Sequence, residues 1–138
     1  MSAERLSTGG SALDRSRPLS FSFDGGKVEA FAGDTIASAL LANDVAVVGR
    51  SFKYHRPRGV WGSGVEEPNA LVDIAGRGPN IRATTEAARQ GLVALSVNAS
   101  PDAARDRNAF LDRFARFLPA AFYYKTFMWP DWHLFEPR

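Results

Sequence analysis

In Leu19-Ser20-Phe21-Ser22-Phe23-Asp24-Gly25-Gly26-Lys27-Val28-Glu29-Ala30-Phe31, apolar and polar residues alternate on both sides of Asp24-Gly25-Gly26. A period of two is that of a half-buried strand. Asp-Gly-Gly between two such runs is a strong hairpin signal, because tight hairpin turns need residues that accept positive φ. The chain is thus expected to open on a β-hairpin. Working outward, Gly33-Asp34-Thr35 reads as a helix start, with Asp34 or Thr35 as N-cap. Ile36, Ala39, Leu40 and Ala42 supply apolar positions at helical spacing, and Asn43 ends the helix. Upstream, residues 1–17 are polar, Ser/Gly-rich and basic, and read as a flexible arm.

Downstream, Val45–Val48 is a short β-prone run closing on Gly49. Residues 50–68 form a long loop rich in Gly and Pro, and loops of this length are often functional. Strands are expected over 70–75, 80–84 and 92–97. Ser100-Pro101-Asp102 reads as the cap and first turn of a helix running to Phe117 or Leu118, where Pro119 stops it. Phe110, Leu111, Phe114 and Phe117 share one face of that helix. An aromatic tail follows. Its Tyr123, Tyr124, Lys125, Trp129 and Trp132 are candidate interface residues, since exposed apolar patches usually mark interfaces. The expected organisation is an arm over 1–17, one domain over 18–100, and a helix and tail over 101–138 leading to a further domain.

The 138 residues hold no cysteine, which excludes disulfides, thiolate nucleophiles and cysteine-held iron–sulfur clusters. Two histidines, His55 and His133, fall short of a zinc site, so no metal is expected. No nucleophile elbow, dinucleotide fingerprint or phosphate loop is present, so no catalytic residue is expected. No signal peptide is visible. The longest apolar run, Ala37–Val48, is broken by Asn43 and Asp44 and falls short of the ~20 residues of a membrane span. The default is a cytoplasmic protein away from membranes.

The net charge is only +2, with 17 basic and 15 acidic residues, too mild for extended nucleic-acid binding. The cations are unevenly spread, however. Arg50, Lys53, Arg56 and Arg58 lie together with Tyr54 and His55 and no acid among them. These six are the candidate contact residues, for a protein or subunit interface or for a cofactor phosphate. His55 could act as a general base or simply hydrogen-bond within its loop. Glu66-Glu67 either balance the basic cluster or cap a turn.

The order hairpin, helix, glycine-rich loop, strand resembles a β-grasp domain of the plant-type 2Fe-2S ferredoxin sort. Residues 28–42 are similar to the segment leading into the cluster-binding loop, and residues 62–73 resemble that loop and the strand beyond it. Where that pattern carries closely spaced cysteines, this chain has Glu66 and Asn69, with Gly62 or its neighbour upstream. A more specific likeness is to the N-terminal region of heterotetrameric sarcosine oxidase alpha subunits. It is carried by Gly49-Arg50-Ser51-Phe52-Lys53-Tyr54-His55-Arg56-Pro57-Arg58-Gly59, Glu66-Glu67-Pro68-Asn69-Ala70-Leu71-Val72 and Phe122-Tyr123-Tyr124-Lys125-Thr126-Phe127.

The resemblance implies an α+β fold: a β-grasp, 2Fe-2S ferredoxin-like domain with an added C-terminal helix and aromatic tail. It implies a flavoenzyme complex that oxidatively demethylates sarcosine to glycine, with FAD, FMN, NAD and tetrahydrofolate in the full complex and no cofactor in this chain. The expected partners are the rest of the alpha subunit and other subunits of a hetero-oligomeric oxidase, with this domain structural or at an interface. The alternative is a stand-alone module whose basic loop, residues 50–58, holds a nucleotide or an acidic protein partner.

Overall fold

The computed structural model describes residues 5–117. The opening hairpin forms as its alternation dictates. β1 (Asp14–Phe23) buries Phe21 and Phe23, and β2 (Gly26–Ala32) buries Val28 and Ala30 against the same core. The two strands pair antiparallel with Phe23 opposite Gly26. Asp24 and Gly25 between them have φ of 49° and 80°, the pair of positive values that a two-residue hairpin turn requires. β1 begins within the stretch read as an arm, and its pairing with β2 shifts between Asp14 and Pro18, where proline has no N–H to donate. Upstream of it, the Arg5 guanidinium grips the buried Asp34 carboxylate at 2.9 and 3.3 Å and lies 5.2 Å from the centre of the Phe31 ring.

α1 (Ile36–Ala42) is capped by Thr35, whose hydroxyl accepts from Ser38 N at 3.1 Å while Ser38 Oγ accepts from Thr35 N at 3.0 Å. This reciprocal cap satisfies two amides with no helical partner. Asn43 ends the helix and clamps it to β2: its amide donates to the carbonyls of Glu29 and Ala39 and accepts from Glu29 N. The buried face is Ile36, Ala37, Ala39, Leu40 and Ala42. Its small residues let the helix lie close to the sheet.

After α1 come the two-residue strands β3 (Gly49–Arg50) and β4 (Pro57–Arg58), then β5 (Leu71–Ile74), β6 (Gly78–Arg82) and β7 (Val93–Ser96). Five strands form one sheet in the order β2-β1-β7-β5-β6, with β1 and β7 parallel at its centre and the other neighbours antiparallel. β3 and β4 pair separately. The core joins Phe21, Phe23, Val28, Ile36, Leu40, Val48, Val72, Ile74 and Ala94 between helix and sheet. This is the expected α+β, ferredoxin-like arrangement.

Two local expectations change. Val45–Val48 is not a strand; only Gly49 and Arg50 pair, with β4. Residues 101–106 form bends and irregular chain, and a 3-10 helix begins at Arg107 and runs to Phe117. The reason is competition for backbone groups. Asp24 Oδ2 takes the N–H of Ala103, Arg50 Nε takes its carbonyl, and Asp106 Oδ1 takes the N–H of Ser100. The Ala103 carbonyl, which a helix begun at Ser100 would give to Arg107 N, is thus taken by a tertiary partner.

Gly33, at φ +95°, approaches the chain so closely that a Cβ would sit 1.8 Å from the Ala12 carbonyl oxygen. Gly33→Ala is expected to cost on the order of 2–4 kcal/mol, from positive φ and overlap with backbone. Gly25→Ala has the same kind of φ but open space around it, and is expected to cost about 1 kcal/mol. Equal denaturation midpoints for the two variants would refute the close approach.

Candidate functional site

The basic segment folds back on itself. Gly49 pairs with Arg58 and Arg50 with Pro57, while Ser51 N donates to Arg56 O and His55 N to Ser51 O. His55 sits at φ 51°, which turns its ring inward. A Cβ on Gly49 would meet Val97 O at 3.2 Å, so this short hairpin lies against the end of β7, where Arg50 N donates to Val97 O at 2.9 Å.

Most of the cations expected to contact a partner or a cofactor phosphate are engaged by the chain itself. Arg50 Nε donates to Ala103 O at 2.9 Å and Nη1 to His55 O at 3.0 Å. His55 Nδ1 lies 2.7 Å from Asp106 Oδ2, with side-chain exposures of 14% and 0%. Arg56 Nε pairs with Asp112 Oδ1 at 2.6 Å, its guanidinium 5.0 Å from the Tyr54 ring centre, and Lys53 Nζ lies 5.3 Å from the same centre. Arg58 Nη1 donates to Asn69 Oδ1 at 2.6 Å. The hairpin is thereby stitched to residues 98–112 on one side and to the glycine-rich loop on the other. Desolvation pushes the Asp106 carboxyl up. The amides of Ser100 and Asn108, together with His55, outweigh it and hold the group below its usual range.

The second half of the site is built on Glu67. The loop 59–70 wraps a 3-10 turn, Gly64–Glu66, and brings Glu67 to 1% exposure. Four backbone amides converge on its carboxylate: Trp61 N at 2.7 Å, Gly62 N, Asn69 N at 2.6 Å and Ala70 N at 3.1 Å. Burial raises this carboxyl, but the four donors together hold it below its ordinary value, so it is an anion in a cup of N–H groups. Arg82 Nε binds the Glu67 carbonyl at 3.0 Å, and Thr84 Oγ1 donates to Gly64 O at 2.6 Å, closing the loop from β6. Of the two uses foreseen for the acid pair, Glu67 caps its loop, while Asp106 and Asp112 take His55 and Arg56.

The residues do not fit a 2Fe-2S cluster. Plant-type ferredoxins hold theirs with thiolates at a C-x4-C-x2-C spacing. The sequence contains no thiolate, and of the two acids in the loop the buried one, Glu67, is committed to four amides. Among the described residues, no three His, Cys, Asp or Glu side chains gather to hold a metal. Glu66 is exposed and Asn69 is half-buried against Arg58, whereas Glu67 and Ala70 are buried.

Sequence reasoning passed over Phe52 and Trp61 as contact residues, yet each is 84% exposed, and Val65 is 72% exposed. The available signal was large apolar residues placed in Gly/Pro-rich loops. Tyr123, Tyr124, Lys125, Trp129, Trp132 and His133 lie outside the described residues. Among the described residues no helix is long and apolar enough to cross a membrane.

Comparison with known proteins bears on this geometry. Residues 16–99 match the family described as 2Fe-2S iron-sulfur cluster binding domain. A sarcosine oxidase subunit alpha from Rhizobium meliloti (strain 1021) is 53% identical over 99% of this chain. One from Corynebacterium sp. (strain U-96) is 46% identical over 54%. The chain spans 14% and 8% of the lengths of these relatives. A solved L-proline dehydrogenase from P. horikoshii aligns with 64% of this chain and 17% of its own at TM-score 0.49 and 22% identity. The match over residues 16–99, on a β-grasp sheet whose glycine-rich loop stands between α1 and β5, places the chain in the 2Fe-2S iron-sulfur cluster binding domain family, as a member whose sequence holds no cysteine.

Proposed function

We propose that this domain serves as a scaffold in a sarcosine oxidase alpha subunit-like polypeptide and packs against the remainder of it. Sarcosine demethylation, the flavin, nicotinamide and folate cofactors and the other subunits then belong to the rest of that assembly. The observation that carries this is the inward commitment of the polar groups of the loop pair. Arg50, His55, Arg56 and Arg58 bind within the chain, and Glu67 fills its own loop. The large apolar side chains that the loops leave outward are Phe52, Trp61 and Val65, beside the exposed Arg56, Arg58 and Glu66. Large exposed apolar side chains mark contact surfaces, and relatives of which this chain spans 14% supply a body for them to contact. Lys53, Tyr54 and the exposed side of Arg56 would form the rim.

Phe52→Ser/Trp61→Ser in the complete polypeptide tests this. Both side chains are exposed, so the domain's own fold should be unaffected, within about 0.5 kcal/mol per site. Protease release of the domain from the polypeptide should accelerate at least tenfold. Unchanged release would defeat the proposal. The alternative, a stand-alone module for a nucleotide or acidic partner, would use the remaining donors of Arg56 and Arg58, whose Nε and Nη1 are held by Asp112 and Asn69. Saturable stabilisation by FMN or NAD, lost in Arg56→Ala/Arg58→Ala, would put that module in its place.

A further inference from the structure

We propose that the loop 59–70 is a vacated cluster cradle in which the Glu67 carboxylate is the resident anion, and that Gly62, Glu67, Ala70 and Thr84 stand at the four ligand positions. Buried backbone amides aimed at one point form an anion site. A thiolate-bound iron–sulfur cluster is an anion whose sulfurs take such hydrogen bonds. A loop that keeps this amide geometry without a cluster would leave its donors buried and unpaired, which native proteins avoid. Here the donors converge on one side chain, from Trp61, Gly62, Asn69 and Ala70.

The ligand register follows from burial and direction. Spacing of C-x4-C-x2-C falls on Gly62, Glu67 and Ala70. Of these, Glu67 is 1% and Ala70 0% exposed. A Cβ on Gly62 would lie in contact with the occupant, with Glu67 Oε2 at 3.8 Å and Glu67 Cα at 3.8 Å. Ala70 is linked through its carbonyl to Ala83 N at 2.8 Å, and the next residue, Thr84, reaches across to Gly64 O. Thr84 therefore brings the fourth side chain to the loop from beyond β6. The neighbouring register, Trp61, Glu66 and Asn69, starts from a ring 84% exposed and an exposed acid.

Gly62→Cys/Glu67→Cys/Ala70→Cys/Thr84→Cys, made in the intact chain and reconstituted anaerobically with ferric iron and sulfide, is expected to bind about two iron and two sulfide per chain. It should gain visible absorption, and an electron-spin signal on reduction. Trp61→Cys/Glu66→Cys/Asn69→Cys/Thr84→Cys is expected to bind at least tenfold less. A cluster in the second set and not the first would overturn the register. A second measurement stands even if the cysteine variants fail to fold. Formate should raise the melting temperature of Glu67→Ala by refilling the cup, and should leave the wild type unmoved. No rescue by formate would overturn the role of Glu67 as resident anion. Neither readout depends on whether the domain packs against a larger polypeptide.

Discussion

Glu67→Ala is expected to lower the unfolding free energy by about 3–4 kcal/mol, the largest single-residue loss in the loop pair. Hydrogen bonds to a charged group contribute about 1.5–3 kcal/mol each, and a buried donor left unpaired costs about 1–3 kcal/mol. Four amides lose their acceptor together, and water entering the emptied loop returns part of the loss. The corresponding fall in melting temperature is roughly 15 °C. Glu67→Gln keeps the shape but turns an amide NH2 toward two of the four donors, so about 2 kcal/mol is expected. Glu66→Ala, on an exposed neighbour, should stay within about 0.5 kcal/mol. Urea unfolding of the three variants checks the order, and equal losses at positions 66 and 67 would falsify the convergence on Glu67. The pH dependence has a definite sign. The folded carboxyl is held below its ordinary value, so the unfolded chain binds the proton more readily. The contribution is present in full above the unfolded value of about 4.3 and is lost as pH falls through the lower, folded one. Stability measured from pH 6 to pH 3 should therefore decline less steeply in Glu67→Ala than in the wild type.

Asp106→Ala is expected to cost about 2–3 kcal/mol and to loosen the basic hairpin from the rest of the chain. Its carboxylate accepts from Ser100 N at 3.1 Å and Asn108 N at 3.3 Å and faces His55 Nδ1 at 2.7 Å, with no side-chain exposure. Removing it strands two amides and a ring nitrogen. Hydrogen exchange at residues 51–56 should speed up tenfold or more while β1 and β2 keep their protection. A double-mutant cycle of Asp106→Ala with His55→Ala should give a coupling of at least 1 kcal/mol. Additivity of the two losses would mean the pair is a mere neighbour contact. Asp106 is also held below its ordinary value, so its contribution is present above the unfolded value of about 3.9 and fades as pH falls through the lower, folded one.

The hairpin and α1 were legible because their causes are local. Alternation around Asp24-Gly25-Gly26 and the Thr35 cap act within a few residues of chain. The segment 101–106 misled for the opposite reason. Pro101 and Asp102 are good local helix starters, but Asp24, Arg50 and His55, distant in sequence, claim the atoms involved. Phe52 and Trp61 were passed over because apolarity alone does not say which side of a loop faces solvent.

The sequence by itself determined that no thiolate is available, that the chain opens on a β-hairpin and helix, and that a basic loop precedes a glycine-rich one. Each is set by residue identity or by neighbours a few positions away. Only the tertiary structure decided that Glu67 rather than Glu66 enters the loop, that His55 turns inward to Asp106, and that Arg56 and Arg58 pair at the surface with Asp112 and Asn69. Those outcomes depend on which buried donors and acceptors must be satisfied once β5, β6 and residues 98–112 close around the loops, a condition that exists only in the folded chain.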